Sequence, residues 1–173
     1  MKPSPDAPAR KVFLGHGASG NAASMKPYVV GFKRRGIDAM AVELPRSNVE
    51  KAVEVFIAKA GRDVVVGGQS FGGRMASLAA AQVDFAGLVL FSYPLHRPGH
   101  TDQLRTEHFP RIKCPVLFMS GDRDPFAQVE LLKKWVKKVP RSRLEIFPGQ
   151  GHGLLPVLDR ALDVAADFIN GLA

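Results

Sequence analysis

Short apolar runs alternate with stretches of helical period along most of the chain. Residues 11–15 (KVFLG), 37–44 (IDAMAVEL), 63–69 (DVVVGGQ), 87–93 (GLVLFSY), 115–121 (PVLFMSG) and 143–149 (RLEIFPG) read as strands. Between them, 20–35, 49–60, 72–82, 126–138 and 154–171 read as helices. Asn21 or Ser19 is the cap of the first, Gly61 ends the second, and Pro45 stops the second strand.

The strands are near-continuously apolar, which suits a sheet covered on both faces and hence a parallel one. Right-handed crossovers then give a doubly wound, three-layer α/β/α sandwich with a mainly parallel sheet of about six strands. Ligands of such sheets sit at the C-terminal ends of the strands. The loops at 15–20, 67–72, 93–110, 121–126 and 149–153 are therefore expected on one rim. No repeat or linker divides the chain, so 11–173 reads as one domain without a helical cap. Residues 1–10, with three prolines among the first eight, read as a flexible leader.

Composition changes this picture little. The 173 residues suffice for one core, and the hydrophobic share of 46% and charged share of 23% are those of an ordinary globular protein. No apolar run is long enough for a bilayer, and the first ten residues hold no signal-peptide h-region, so neither a membrane nor export is expected. The single cysteine, Cys114, fits a reducing, cytoplasmic setting and reads as a small residue at a strand start. The net charge of +8 has one local concentration, in which Lys133, Lys134, Lys137 and Lys138 face away from Leu131, Leu132, Trp135 and Val136. That is a solvated helix face. Without interleaved aromatics or a known motif it does not call for nucleic acid, although a polyanion site would predict salt-sensitive retention on heparin or DNA.

The chemistry concentrates on the expected rim. Gly68-Gln69-Ser70-Phe71-Gly72 is G-x-S-x-G between a strand and a helix, the setting of a nucleophile elbow. Such a turn strains the serine and needs small flanking residues. A serine requires a base, and His152 stands between glycines after the last strand. Two carboxylates, Asp122 and Asp124, follow the fifth strand. Asp124, further out and before Pro125, is the candidate to orient the imidazole, while Asp122 suits the capping of local amides. The order Ser, acid, His matches the order such sites follow.

Gly15-His16-Gly17-Ala18-Ser19-Gly20 is a literal G-x-G-x-x-G after a strand. On a dinucleotide reading its glycines would cradle a pyrophosphate and Glu43 would bind a ribose. That leaves Ser70, Asp124 and His152 unexplained. Read as an oxyanion loop, it supplies one of two converging amides, from Ala18 or alternatively Gly17. The other comes from Phe71, the residue after the serine.

Together these motifs resemble the α/β-hydrolases, and within them the small, capless type related to dienelactone hydrolase. The stretch 92–126 (SYPLHRPGHTDQLRTEHFPRIKCPVLFMSGDRDPF) is similar to a branch of short hydrolases that includes a vertebrate testis-expressed protein and a chromatin-complex subunit. The resemblance runs from Lys11 to the end. It implies Ser70 as nucleophile, Asp124 as acid, His152 as base, and the Phe71 and Ala18 amides as oxyanion hole. It also implies an eight-stranded sheet, of which the first two antiparallel strands have no counterpart here. Typical dienelactone hydrolases carry cysteine where this chain has Ser70.

Residues 94–110 stand where larger relatives have a cap. His16, Gly17, Tyr93 and His96 are expected to line the substrate pocket, and the arginines of this segment favour an acidic or polar substrate group. His96 and His100 are four apart, but Pro94, Pro98 and Gly99 argue against a helix that would pair them on a metal. The reading is a serine hydrolase of small ester or related acyl substrates, with no cofactor or metal. Its activity should fall below roughly pH 6–7 as the imidazole protonates. The alternative is a hydrolase fold kept as a binding or scaffolding module.

Overall fold

The computed structural model describes residues 10–173; apart from Arg10, the expected leader lies outside them. Six strands, β1 (Lys11–Gly15), β2 (Asp38–Val42), β3 (Gly61–Gln69), β4 (Phe85–Phe91), β5 (Val116–Gly121) and β6 (Ser142–Phe147), alternate with five helices. The helices are α1 (Lys26–Arg34), α2 (Val49–Ile57), α3 (Phe71–Ala80), α4 (Val129–Val136) and α5 (Leu158–Asn170). All strand pairs are parallel and the order is β2-β1-β3-β4-β5-β6.

Alternation along the strands divides the core in two. Val64, Val66, Leu88, Leu90, Val116 and Phe118 face one layer, packed on Phe56 of α2, Met75 and Ala79 of α3 and Leu132 of α4. Val65, Val89, Phe91, Leu117 and Met119 face the other, against Phe32 of α1 and Leu162 and Ala165 of α5. A strand buried on both faces must be apolar at every position, which is why these runs lack polar alternation.

Local chemistry sets the element ends. The segment expected as one helix over 20–35 opens as a 3-10 turn, Ala22–Met25, where Asn21 and Ser24 form a reciprocal capping box; α1 proper begins beside Pro27. The helix expected from 126 begins only at Val129, because Asp124 first holds a turn: its Oδ1 accepts from the Phe126 N–H at 2.8 Å and its carbonyl from the Ala127 N–H. Between β4 and β5 the chain holds one short 3-10 turn, Phe109–Arg111. Among the described residues, no helix is long and apolar enough to cross a membrane.

The chain runs outward from β1 to β2, then returns to the other side of β1 for β3. The connections leaving β1 and β3 therefore diverge, and a crevice opens at their C-terminal ends. The G-x-S-x-G turn and the Gly15–Gly20 loop meet in it.

Candidate active site

Ser70 joins β3 to α3 with φ 51° and ψ −114°, a strained conformation for a residue with a side chain. Its amide donates to the Phe91 carbonyl at 2.9 Å, which ties the turn to β4. Close approach of backbones makes the turn possible. A Cβ on Gly15 would stand 2.9 Å from the Gly72 Cα, and one on Gly72 would strike the Gly15 backbone. Gly68 has φ 152°, and a Cβ there would collide with the Gly15 carbonyl.

The Ser70 Oγ lies 2.7 Å from His152 Nε2. The other ring nitrogen, Nδ1, stands 2.9 and 3.0 Å from the two oxygens of Asp124. Asp124 is buried, and His152 is partly open to the crevice. Residues from three loops thus form one hydrogen-bonded chain. The loops are fastened together: Arg123 N–H donates to Gln150 O at 2.9 Å, and Asp122 Oδ1 accepts from Gly149 N–H at 2.8 Å. Asp122 is exposed and faces this loop backbone.

The amide of Phe71 opens α3, where a backbone N–H has no intrahelical acceptor and the helix dipole favours negative charge. The opposing loop is held from beneath by His16. Leu44 N–H donates to His16 Nε2 at 3.0 Å, so the ring proton sits on Nδ1, which donates to the Gly17 carbonyl at 2.9 Å. Glu43 Oε1 is 3.3 Å from the same Nε2, but with that nitrogen accepting from Leu44 the contact is no ion pair. The Gly17 carbonyl also accepts from Gly20 N–H at 3.0 Å. A carbonyl and the next N–H point opposite ways in one planar peptide. The Ala18 N–H is thereby turned away from His16, and among the described residues it donates to no protein acceptor.

Three expected pocket residues are corrected by their surroundings. His16 is fully buried with both ring nitrogens engaged, so it supports the loop from below. Tyr93 is buried among Phe109 and Phe118 and its hydroxyl donates to the Arg105 carbonyl at 2.7 Å; burial also raises its pKa. His96 is buried too, with Nε2 accepting from Gln128 N–H at 3.0 Å and Nδ1 donating to the Arg97 carbonyl at 2.9 Å. Tyr93 and His96 fasten the segment between β4 and β5 and leave no polar atom for a substrate. Gly17 is half-buried on the rim, its missing side chain leaving room for the Gln69 amide. Glu43 instead accepts from the Ala22 N–H at 2.8 Å.

The sequence reading missed two residues near the site. Phe126 stacks on the His152 imidazole, centroids 4.2 Å apart. Ser92, at the end of β4, has φ 58°, and its buried Oγ has no hydrogen-bond partner. Neither carries a sequence signal beyond its place on the rim. Cys114 is buried far down the sheet at the start of β5, and burial pushes its thiol pKa up to about 11, which suits an inert packing residue.

This strand order, with the serine turn at the switch point, defines the architecture of an α/β-hydrolase. A CIB-like hydrolase of Thermoplasma acidophilum superposes with a TM-score of 0.76 at 20% identity, covering 99% of this chain and 91% of that one. A monoacylglycerol lipase of Paleococcus ferrophilus gives 0.79 at 15% identity, with 92% and 93% covered. The chain belongs to the alpha/beta hydrolase domain family, whose pattern matches residues 21–167. Over 66 residues it is also 32% identical to ABHD14B of Pongo abelii, a protein-lysine deacylase by name. That match covers 38% of this chain and 30% of the relative, so the likeness spans under a third of the relative's length.

Proposed function

We propose that the protein is a serine hydrolase that cleaves small esters or related acyl compounds through an acyl-enzyme. One observation carries this reading: Ser70, strained on its elbow, lies 2.7 Å from an imidazole whose far nitrogen faces a buried carboxylate. Ser70 Oγ attacks the acyl carbon while His152 Nε2 takes its proton. Asp124 holds the imidazole and stabilises its charged form. The tetrahedral oxyanion lies toward the amides of Phe71 and Ala18. Collapse breaks the bond to the leaving alcohol, which receives the proton from His152. Water, deprotonated by the same nitrogen, then attacks the acyl-enzyme and releases the acid and Ser70.

The short segment between β4 and β5, with a single 3-10 turn, supports a place among the small capless hydrolases. The lipase and the lysine deacylase among the similar proteins both act on acyl groups by name, which agrees with acyl transfer as the reaction class.

The test is intact-mass spectrometry after incubation with a fluorophosphonate, on the wild type and on Ser70→Ala. A single adduct on the wild type that is absent from the variant is expected. A folded wild type that takes no adduct would overturn the reading in favour of a binding or scaffolding module.

A further inference from the structure

A second polar cavity lies one turn along α3 from Ser70, beneath the segment joining β4 to β5. It has a volume of about 280 Å³, and its polar lining comes from Arg74, Arg105, Thr106, Glu107, His108 and Arg111. None of Ser70, Phe71, Asp124 or His152 reaches it.

Its charge is unbalanced. Three guanidiniums face one exposed carboxylate, Glu107, and among the described residues none of the three is in an ion pair. Arg74 Nε is buried with no hydrogen-bond partner. A buried, unsatisfied donor on a charged group is costly, and a charged hydrogen bond would relieve it. The neighbours register the crowding. Arg105 is made a weaker base by burial and then by Arg74. Burial, Arg111 and Arg74 lower His108 to about 4, so it is neutral at pH 7 and leaves the positive charge to the arginines.

The walls are fixed. Ser77 Oγ lies 2.8 Å from His108 Nε2, which ties 106–111 to α3. The Arg105 backbone is held at both ends, its N–H donating to Leu95 O at 2.9 Å and its carbonyl accepting from Tyr93. Buried Phe109 packs against Tyr93 and Phe118 below. Arg105 Nη1 also donates to the Pro94 carbonyl at 3.3 Å, which positions its guanidinium, and the three arginines line one preformed space.

We propose that this cavity binds a phosphate group, either free phosphate or the head of a small phosphomonoester, separately from the catalytic crevice. Guanidinium forks match the tetrahedral oxyanion in geometry and charge, and Thr106 adds a hydroxyl. The volume lies just under the roughly 300–1,000 Å³ of sites for drug-sized ligands, which suits a small anion rather than a long acyl chain.

The experiment is thermal unfolding of the intact protein against increasing inorganic phosphate, with ionic strength held constant by sodium chloride. The wild type should show a saturable rise in Tm. Arg74→Gln and the exposed, core-sparing Arg111→Gln should each weaken the response at least about tenfold. Lys134→Gln, which removes an equal charge from α4, should keep it. Phenyl phosphate in a parallel titration separates the sources: tighter binding points to a phosphomonoester, equal binding to free phosphate. A flat wild-type response to tens of millimolar phosphate, or variants that respond as the wild type does, would overturn the proposal. Neither depends on whether Ser70 is reactive.

Discussion

The ring of Phe126 lies against the His152 imidazole, 4.2 Å between centroids and 32° between planes, while its own N–H donates to Asp124 Oδ1 at 2.8 Å. One residue thus bears on both groups hydrogen-bonded in line with Ser70: it packs one face of the His152 ring and donates to the Asp124 carboxylate. Nothing else among the described aromatic contacts touches His152.

Removing the ring should therefore loosen the imidazole without touching the reacting atoms. In Phe126→Ala the rate of fluorophosphonate labelling at Ser70 is expected to fall about tenfold, which corresponds to roughly 1.4 kcal/mol of lost orientation. Phe126→Tyr keeps the ring and the backbone donor, and should label at close to the wild-type rate. Equal labelling rates in the alanine variant and the wild type would show that Phe126 only fills space.

The strained serine makes a second contrast. Glycine adopts positive φ without the steric cost that a Cβ brings, so Ser70→Gly should release strain that Ser70→Ala retains. Both variants lose the hydroxyl. The glycine variant is expected to be more stable than the alanine variant by about 1–2 kcal/mol in urea unfolding. Equal stabilities would mean that the elbow holds no strain of this kind.

Much of this arrangement is legible from the chain. Unbroken apolar runs bounded by Gly, Pro and polar clusters marked the strands, and Ser70 could be placed on a strand-to-helix turn because both flanks were readable. The burial of Tyr93 and His96 was not legible. Each follows a strand onto the rim, as a pocket residue would, and only the folded segment shows Arg105 and Gln128 as their partners. Nothing in the sequence singles out Arg74 on α3. Its orphaned Nε shows only in the fold, where Arg105 and residues of the 106–111 segment line the same cavity. Ser92 takes positive φ without being glycine, so no residue preference announces it.

The crossing of β1 over the elbow leaves no space for a methyl group. A Cβ on Gly72 would meet the carbonyl, C and Cα of Gly15, which are backbone atoms that cannot rotate aside. Gly72→Ala should cost about 3 kcal/mol or more, as overpacking against fixed backbone does. Ala76→Gly, one turn further along α3 and also buried, serves as the reference for a substitution that meets no fixed backbone, at about 1–2 kcal/mol from lost helix propensity and one lost buried methyl. A Gly72→Ala variant as stable as the wild type would show that β1 can shift away from the turn.

His108 gives stability a pH dependence that can be assigned to one side chain. Its pKa in the folded protein is about 4, lowered from 6.5 first by burial and then by Arg111 and Arg74. Above pH 6.5 neither the folded nor the unfolded state holds the proton, and the full stabilisation stands. Between 6.5 and about 4 the unfolded chain is protonated while the folded one is not, so unfolding is favoured progressively as pH falls. Below about 4 both states are protonated and this contribution levels off. From pH 7 to pH 4.5 the share lost through His108 is about 2–3 kcal/mol. Carboxylates titrate in the same range, so the measurement is a difference: urea unfolding of the wild type and of His108→Gln at both pH values. The glutamine variant, whose amide can still meet Ser77, should lose less stability on acidification by that amount. Parallel losses in the two proteins would show that His108 takes up its proton in the folded state as readily as in the unfolded one.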